Sequence, residues 1–121
     1  MFKKDRYMDE CIFCKIIKGE IPSKITYQDD KVIAFYDIHP VAPIHILLLP
    51  KKHIININNV TGEDENLLGH MLITVKKVAH EQGISEKGYR LIINNGPDAD
   101  QVVQHLHFHI IGGQPMHHPM G

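Results

Sequence analysis

Hydrophobic and polar positions in the first half of the chain predict several short strands. Two β-rich runs at residues 25–27 and 32–36 flank the polar segment 29–31, which is typical of a hairpin. A continuous apolar run at residues 45–49 ends at Pro50 and predicts a buried strand. The pattern therefore places the start of a sheet in this half of the chain.

The second half opens with the spacing of an amphipathic helix between residues 61 and 83. Its apolar positions recur every three or four residues and are Leu67, Leu68, Met71, Leu72, Val75, Val78 and Ala79. Thr61 and Asp64 resemble a capping box at its start, and Gly83 is a typical C-cap at its end. We expect this apolar stripe to face the core or a second copy of the chain.

Two further strands complete the predicted architecture. Residues 89–93 predict a strand that ends in the turn-rich segment 94–98, and residues 104–111 predict the last strand. The whole pattern predicts one α+β domain: about five strands in a mainly antiparallel sheet, with one long helix and one or two short ones. The polar residues 1–9 predict a flexible N-terminal extension, so that the domain spans residues 10–121.

Composition argues against several classes of partner. A formal net charge of −1 with no basic stripe argues against nucleic acid. No apolar run approaches the roughly 18 residues of a membrane helix, and the first ten residues lack the apolar core of a signal peptide. Two cysteines are too few for a disulfide framework. We therefore expect a cytoplasmic protein with no membrane partner.

Histidine is the unusual feature of the composition, and three histidines share one face of the predicted last strand. The chain has ten histidines and no tryptophan. His105, His107 and His109 alternate with the apolar residues of the other face, which are Leu106, Phe108 and Ile110. One core histidine with two solvated neighbours is the alternative. Because aligning three titratable rings has an electrostatic cost that stability alone does not explain, we favour a functional site.

This alternating segment resembles the signature of the histidine-triad family of nucleotide hydrolases and transferases. Five further segments match the Hint-like branch of that family in order and spacing: residues 11–17, 34–38, 50–53, 91–94 and 112–113. The resemblance covers residues 10–121. It implies the family fold in a homodimer whose sheets continue across the interface, with the long helix and residues 89–94 as the contacting elements.

The resemblance also implies a reaction. It points to hydrolysis of purine nucleoside 5′-phosphoramidates at the α-phosphorus, with no metal needed for catalysis. His107 would be the nucleophile, its second ring nitrogen held protonated by a backbone carbonyl of its own strand, and would form a covalent nucleotidyl-histidine that water hydrolyses. His109 and His45 would bind the phosphate oxygens and help to protonate the leaving amine.

The nucleotide-binding residues follow from the same resemblance. Asp37 would accept the two ribose hydroxyls. The other expected contacts are Ile12, Phe13 and Ile38 around the base, and Asn94, Gln101 and Val102 at the phosphate. The family has Gly-Gln-Ser or Gly-Gln-Thr where this chain has Asp100-Gln101-Val102. The hydroxyl is therefore missing at position 102, and a negative charge is added beside an anionic substrate.

Cys11 and Cys14 form a Cys-x-x-Cys pair that has three interpretations: buried small hydrophobes, a redox dithiol or half of a zinc site. A structural zinc ion needs four ligands. Members of the family that resemble this chain complete the set with two histidines, which correspond to His53 and His105. The resemblance thus implies a structural Zn²⁺ site.

Competing functions and the remaining histidines complete the expectations. A nucleotide-binding adaptor with vestigial activity is one alternative, and a dinucleoside polyphosphate hydrolase or nucleotidyltransferase of the same superfamily is the other. The remaining histidines, His39, His70, His80, His117 and His118, are expected to be exposed to solvent.

Overall fold

The computed structural model describes residues 10–119, in which a five-stranded antiparallel sheet has the strand order β1-β2-β3-β5-β4. The elements are α1 (Ile12–Ile17), β1 (Ile25–Gln28), β2 (Val32–Tyr36), β3 (Ile44–Pro50), α2 (Glu65–Glu81), β4 (Tyr89–Ile92) and β5 (Phe108–Gly112). Short 3-10 helices span Ile57–Asn59, Gly62–Asp64 and Pro97–Ala99. The predicted α+β architecture is confirmed, whereas the extension predicted for residues 1–9 lies outside the described residues.

The two faces of the sheet carry separate hydrophobic clusters, because alternate residues of a strand point to opposite sides. On β2, Val32 and Ala34 join the cluster under α2, whereas Ile33 and Phe35 join the cluster under α1. The central strand β3 is buried from His45 to its end at Pro50. The sheet is therefore covered by α2 on one face and by α1 on the other. No helix among the described residues is long and apolar enough to cross a membrane.

The capping residues of the long helix act one turn earlier than its first α-helical residue. The carboxylate of Asp64 accepts the Thr61 backbone N–H at 2.9 Å, and the Thr61 hydroxyl accepts the Glu63 N–H at 3.2 Å. This turn is a 3-10 helix, so α2 itself begins at Glu65. Of the predicted apolar stripe, Leu72 does not face the core of this chain: it is 54% exposed, beside the exposed Ile73 on the outer surface of α2.

The last strand is shorter than the prediction of residues 104–111. Its ladder begins at Phe108, which pairs with Leu48 of β3. Before that point, the His105 ring donates its Nε2–H to the Pro50 carbonyl at 2.8 Å, and Leu106 N–H bonds to the Ile54 carbonyl at 2.7 Å. A side chain and a loop thus take the place of ladder partners, while Leu106 still points into the α2 cluster as the alternation predicts.

Candidate active site and metal centre

Three histidines meet on the face of the sheet that α1 covers. His45 comes from β3, His109 comes from β5, and His107 directly precedes β5. The pairing of Leu47 with His109 places the two strands side by side at this point. His45 and His107 are buried and His109 is partly exposed. The predicted catalytic histidines are thus brought together.

The ring of His107 is held by the backbone of its own segment. Its Nδ1 lies 2.7 Å from the carbonyl oxygen of His105. Because a carbonyl can only accept, Nδ1 carries the proton and Nε2 keeps a free lone pair. The ring of Phe13 from α1 meets the His107 ring edge-on, with centroids 5.1 Å apart. The hydrogen bond that the resemblance implied is present, and it points the unprotonated nitrogen away from the backbone.

A second group joins His45, His109 and Asp37. The Nε2 of His45 lies 2.9 Å from Nδ1 of His109 and 3.4 Å from Oδ2 of Asp37. The other carboxylate oxygen of Asp37 accepts the His39 backbone N–H at 2.8 Å. The carboxylate is therefore fixed at the end of β2, beside the histidine pair.

Burial keeps these rings uncharged. It lowers the pKa of His45 and of His107, although the negative charge of Asp37 acts in the opposite direction on both. Burial, followed by repulsion from His107 and His45, lowers the pKa of His109 to about 4. Near neutral pH all three rings are neutral, and a neutral imidazole is the form that can act as a nucleophile.

Cys11, Cys14, His53 and His105 form a separate cluster in which one ligand atom of each residue lies within 4.8 Å of all the others. The Sγ of Cys14 lies 3.2 Å from His53 Nδ1, and the Sγ of Cys11 lies 3.4 Å from His105 Nδ1. Tetrahedral zinc, with Zn–S of about 2.3 Å and Zn–N of about 2.0 Å, places sulfur and nitrogen about 3.5 Å apart. The spacing and chemistry of the donors therefore fit a bound metal ion.

A hydrogen bond of the His105 ring also orients one of the potential metal-ligand atoms toward the others. The bond from His105 Nε2 to the Pro50 carbonyl leaves Nδ1 of that ring facing the two sulfurs. Without a cation, burial and then the hydrogen bond with Cys11 raise the pKa of the Cys14 thiol to about 12. A metal ion reverses this preference, because it stabilises the thiolate. The cluster could thus hold a metal ion at the junction of α1 and the histidine segment.

In the loop between β4 and β5, two polar side chains form hydrogen bonds with backbone groups. The Gln101 side chain is buried, accepts the Gly96 N–H at 2.9 Å, and donates to the carbonyls of Ile55 at 2.7 Å and Val103 at 3.0 Å. The Asn94 amide donates to the Ala99 carbonyl at 2.9 Å. Both side chains shape the loop, and their contact with a phosphate stays a prediction.

The departure from the family pattern at Asp100 has a backbone explanation. Asp100 is the only non-glycine residue with positive φ among residues 10–119, at φ 61° and ψ 42°. Glycine adopts this left-handed conformation without cost, and aspartate tolerates it better than most residues. Val102, two residues later, is 80% exposed, so its side chain has no packing role. The sequence comparison at these positions did not predict the left-handed backbone.

The side chains predicted around the base differ in accessibility. Ile12 is 45% exposed, and Ile38, which follows Asp37 in the sequence, is 83% exposed. Phe13 is only 6% exposed and packs against Phe35 and His107. Phe13 is therefore a packing partner of the His107 ring, whereas Ile12 and Ile38 provide exposed apolar surface.

His70 is the histidine whose environment the sequence did not predict. Its Nε2 lies 2.7 Å from Oδ2 of Asp29, and that carboxylate also accepts the hydroxyl of Tyr27 at 2.9 Å. Asp29 is 41 residues away along the chain, so no local pattern could reveal the pair. The expectation of a solvent-exposed His70 is confirmed only in part, since its side chain is 35% exposed but paired with Asp29, whereas His39, His80, His117 and His118 are exposed as expected.

The fold and these two clusters define a histidine-triad protein, and comparison with known proteins agrees. The HIT domain family matches residues 18–116, and the chain belongs to this family. It is 50% identical over 108 residues to the purine nucleoside phosphoramidase of Escherichia coli, covering 89% of this chain and 91% of that protein. An uncharacterised HIT-like protein of Synechococcus elongatus is 49% identical over 93% of this chain and 98% of its own length.

Solved structures give the same result. The HIT family hydrolase of Legionella pneumophila superposes with a TM-score of 0.90 at 47% identity, covering 93% of this chain and all of that one. A histidine triad protein of Clostridium difficile gives a TM-score of 0.87 at 44% identity over 90% and 95% of the two chains. The predicted family is confirmed, and the chain is a HIT-family hydrolase homologue along nearly its whole length.

Proposed function

We propose that this chain hydrolyses purine nucleoside 5′-phosphoramidates through a covalent intermediate on His107. The observation that carries the proposal is the 2.7 Å hydrogen bond from His107 Nδ1 to the His105 carbonyl, which leaves Nε2 unprotonated beside the His109 ring. The 50% identity to a purine nucleoside phosphoramidase supports the choice of substrate. The geometry supports His107 as the nucleophile, and the similarity to this relative supports the P–N bond as the bond that is cleaved.

The first step forms one bond and breaks another at the α-phosphorus. The lone pair of His107 Nε2 forms an N–P bond, and the P–N bond to the amine breaks with its electron pair going to the amine nitrogen, which also takes a proton. In the second step water attacks the phosphorus and His107 leaves as a neutral ring. The His105 carbonyl stabilises the Nδ1–H while the ring carries the phosphoryl group.

Neighbouring groups would bind the rest of the nucleotide. His109 and His45 lie where they can orient donors toward the phosphate oxygens as charge develops. The carboxylate of Asp37 would accept the two ribose hydroxyls, and the exposed surface of Ile12 and Ile38 would cover the base. Backbone groups of the loop that Gln101 shapes would complete the phosphate site.

Zinc is the metal that the Cys11, Cys14, His53 and His105 cluster fits, since two thiolates and two imidazoles are a standard structural set. Bound by these four ligands, a zinc ion would have no open position for substrate or water, and it would cross-link α1 to the segment that contains His107 and His109. We assign no step of the reaction to it. Cys11 and Cys14 form no disulfide, which supports our proposal of a reducing, cytoplasmic setting.

A homodimer would cover the apolar surface that remains. Leu72 and Ile73 are 54% and 64% exposed on α2, and β4 forms one edge of the sheet. An open edge and an exposed apolar helix surface favour pairing with a second copy. Sedimentation velocity of the wild type beside Ile73→Glu tests this: a dimer that the charge dissociates supports it, and a monomeric wild type contradicts it.

One observation favours a second candidate, a nucleotide-binding adaptor with vestigial activity. An exposed valine replaces the family hydroxyl at position 102, and Asp100 adds a negative charge nearby. Turnover of adenosine and guanosine phosphoramidates, compared with a diadenosine polyphosphate, separates the candidates. Rapid cleavage of the P–N substrates supports our proposal. Tight nucleotide binding without turnover supports the adaptor, and preferred cleavage of the polyphosphate identifies another enzyme of the superfamily.

A further inference from the structure

Two backbone groups, the His105 carbonyl and the Val41 N–H, form hydrogen bonds with ring nitrogens of His107 and His45. We propose that these groups give His107 and His109 opposite tautomers, and that the backbone N–H of Val41 is the positioning group for His109. The catalytic consequence rests on the proposed function, whereas the tautomers themselves can be measured without substrate. A chain of two hydrogen bonds runs from Val41 through His45 to His109.

The first link is a hydrogen bond from the Val41 backbone to His45. The Val41 N–H lies 3.1 Å from Nδ1 of His45, measured between nitrogen atoms. An amide N–H can only donate, so this ring nitrogen must offer a lone pair. A neutral His45 therefore carries its proton on Nε2, the nitrogen that faces the catalytic site.

The second link transfers this constraint to His109. Nε2 of His45 lies 2.9 Å from Nδ1 of His109, and Oδ2 of Asp37 lies 3.4 Å from the same His45 nitrogen. Because His45 Nε2 carries a proton, His109 Nδ1 must accept it as a hydrogen bond, and the proton of the neutral His109 lies on Nε2. Protonation of His109 at Nδ1 would place two N–H groups against each other or strip His45 of its only proton.

His107 has the opposite arrangement. The His105 carbonyl, which can only accept, keeps the proton of His107 on Nδ1 and leaves Nε2 bare. The rings of His107 and His109 lie 5.0 Å apart between centroids on the same face of the sheet. One ring therefore offers a lone pair for attack on phosphorus, and its neighbour offers an N–H for a phosphate oxygen.

This arrangement limits the part that His109 can play. A neutral His109 that gave up its Nε2 proton would become an anionic ring, because its Nδ1 only accepts a hydrogen bond. His109 thus donates a hydrogen bond to the developing negative charge and does not give the amine its proton, which differs from the role that the family resemblance implied; the amine nitrogen takes its proton from solvent. The tautomer also disfavours a cation among Asp37, His45 and His109, whose ligand atoms lie within 4.8 Å of one another, because His45 Nε2 has no free lone pair.

Nitrogen-15 NMR of the imidazole rings tests the assignment directly. In the ¹⁵N-labelled, zinc-loaded protein at pH 8, we expect Nε2 to carry the proton in His45 and His109, and Nδ1 to carry it in His107. Long-range proton–nitrogen couplings identify the two nitrogens of each ring. The opposite tautomer in either His45 or His109, or an equal mixture of tautomers, overturns the proposal. A shift of the His45 and His109 signals on adding more Zn²⁺ would instead show a cation site there.

Removal of a single N–H then tests the role of Val41. Replacement of Val41 by its α-hydroxy acid turns the amide into an ester and removes the donor without changing the side chain. We expect loss of the single His45 tautomer and a fall in kcat of roughly 10-fold at nearly constant KM, since one oriented donor is lost. Val41→Ala keeps the N–H, and its side chain is 68% exposed, so the ring tautomers should match the wild type.

Different results would contradict the tautomer proposal and the proposed function. Wild-type tautomers in the ester variant would show that Val41 does not set them, and this would overturn the proposal. A protein with the expected tautomers but no phosphoramidase turnover would contradict the proposed function and leave the tautomer assignment standing.

Discussion

His107 and His105 are joined by a 2.7 Å hydrogen bond from a ring nitrogen to a backbone carbonyl, and the ring of His105 itself belongs to the Cys/His cluster. One residue thus contributes its side chain to the Cys/His cluster and its backbone carbonyl to the hydrogen bond that orients the ring of the proposed nucleophile. The ring of Phe13 contacts both histidine rings, with centroids 6.0 Å from His105 and 5.1 Å from His107. The Cys/His cluster and the candidate active site are therefore adjacent, and the Phe13 ring packs against a histidine of each.

Metal content is the first prediction. Protein purified without chelator should contain one zinc ion per chain, and Cys14→Ser should lose most of it, because three ligands remain of four. We expect a large decrease in the free energy of unfolding and a smaller decrease in the turnover rate of the molecules that stay folded. Elemental analysis measures the zinc content, urea titration measures the stability, and a turnover assay measures the rate. A metal-free wild type with two freely titrating thiols would contradict the assignment.

Asp37 provides the second prediction. Asp37→Ala should weaken nucleotide binding by about 1–3 kcal/mol, because a charge-assisted contact to two ribose hydroxyls is lost. The matched comparison is a 2′,3′-dideoxy nucleotide, which should lose affinity for the wild type and little for the variant in calorimetric titration. Equal losses in both proteins would place the ribose contact elsewhere.

The exposed valine provides the third prediction. Val102→Ser should raise turnover, most clearly for poor leaving groups, by roughly 10-fold, which corresponds to about 1.4 kcal/mol. Val102→Ala is the control, since it removes apolar atoms without adding a hydroxyl. Because Val102 is 80% exposed, neither change should affect the core. An equal gain in both variants would show that the hydroxyl is not the cause.

Acid stability gives the fourth prediction. The pKa of His109 is lowered to about 4 by burial and by repulsion from His107 and His45, whereas an unfolded histidine titrates near ~6.5. Between these values the unfolded chain binds more protons, so stability should fall as the pH decreases from about 6.5 to about 4 and be insensitive to this group above that range. His109→Asn should show a shallower dependence in urea titrations at several pH values. An unchanged slope would contradict the lowered pKa.

The sequence predicted the parts of this site that follow from local periodicity. The alternation around His107 predicted which side chains share a face, because that face is set by a two-residue repeat even before the strand ladder begins at Phe108. The pairing of His45 with His109 and that of His70 with Asp29 could not be predicted, since they depend on strand order and on helix packing. The left-handed backbone at Asp100 was hidden for another reason: aspartate is compatible with several conformations.

The central claim is that His107 is the nucleophile, and one trapping experiment tests it most directly. His107→Ala should reduce turnover by several orders of magnitude and leave nucleotide binding nearly intact, whereas His109→Ala should slow the reaction less completely. These variants serve as controls for the wild-type measurement.

During turnover of a phosphoramidate, wild-type protein should be quenched in alkaline denaturant, because the bond between phosphorus and an imidazole nitrogen is labile in acid. Peptide mass spectrometry should then find one nucleotidyl group per chain at His107, formed and lost at rates that match turnover. A nucleotidyl group on His45 or His109, or an unmodified chain at every time point in a protein that is turning over, would contradict the account.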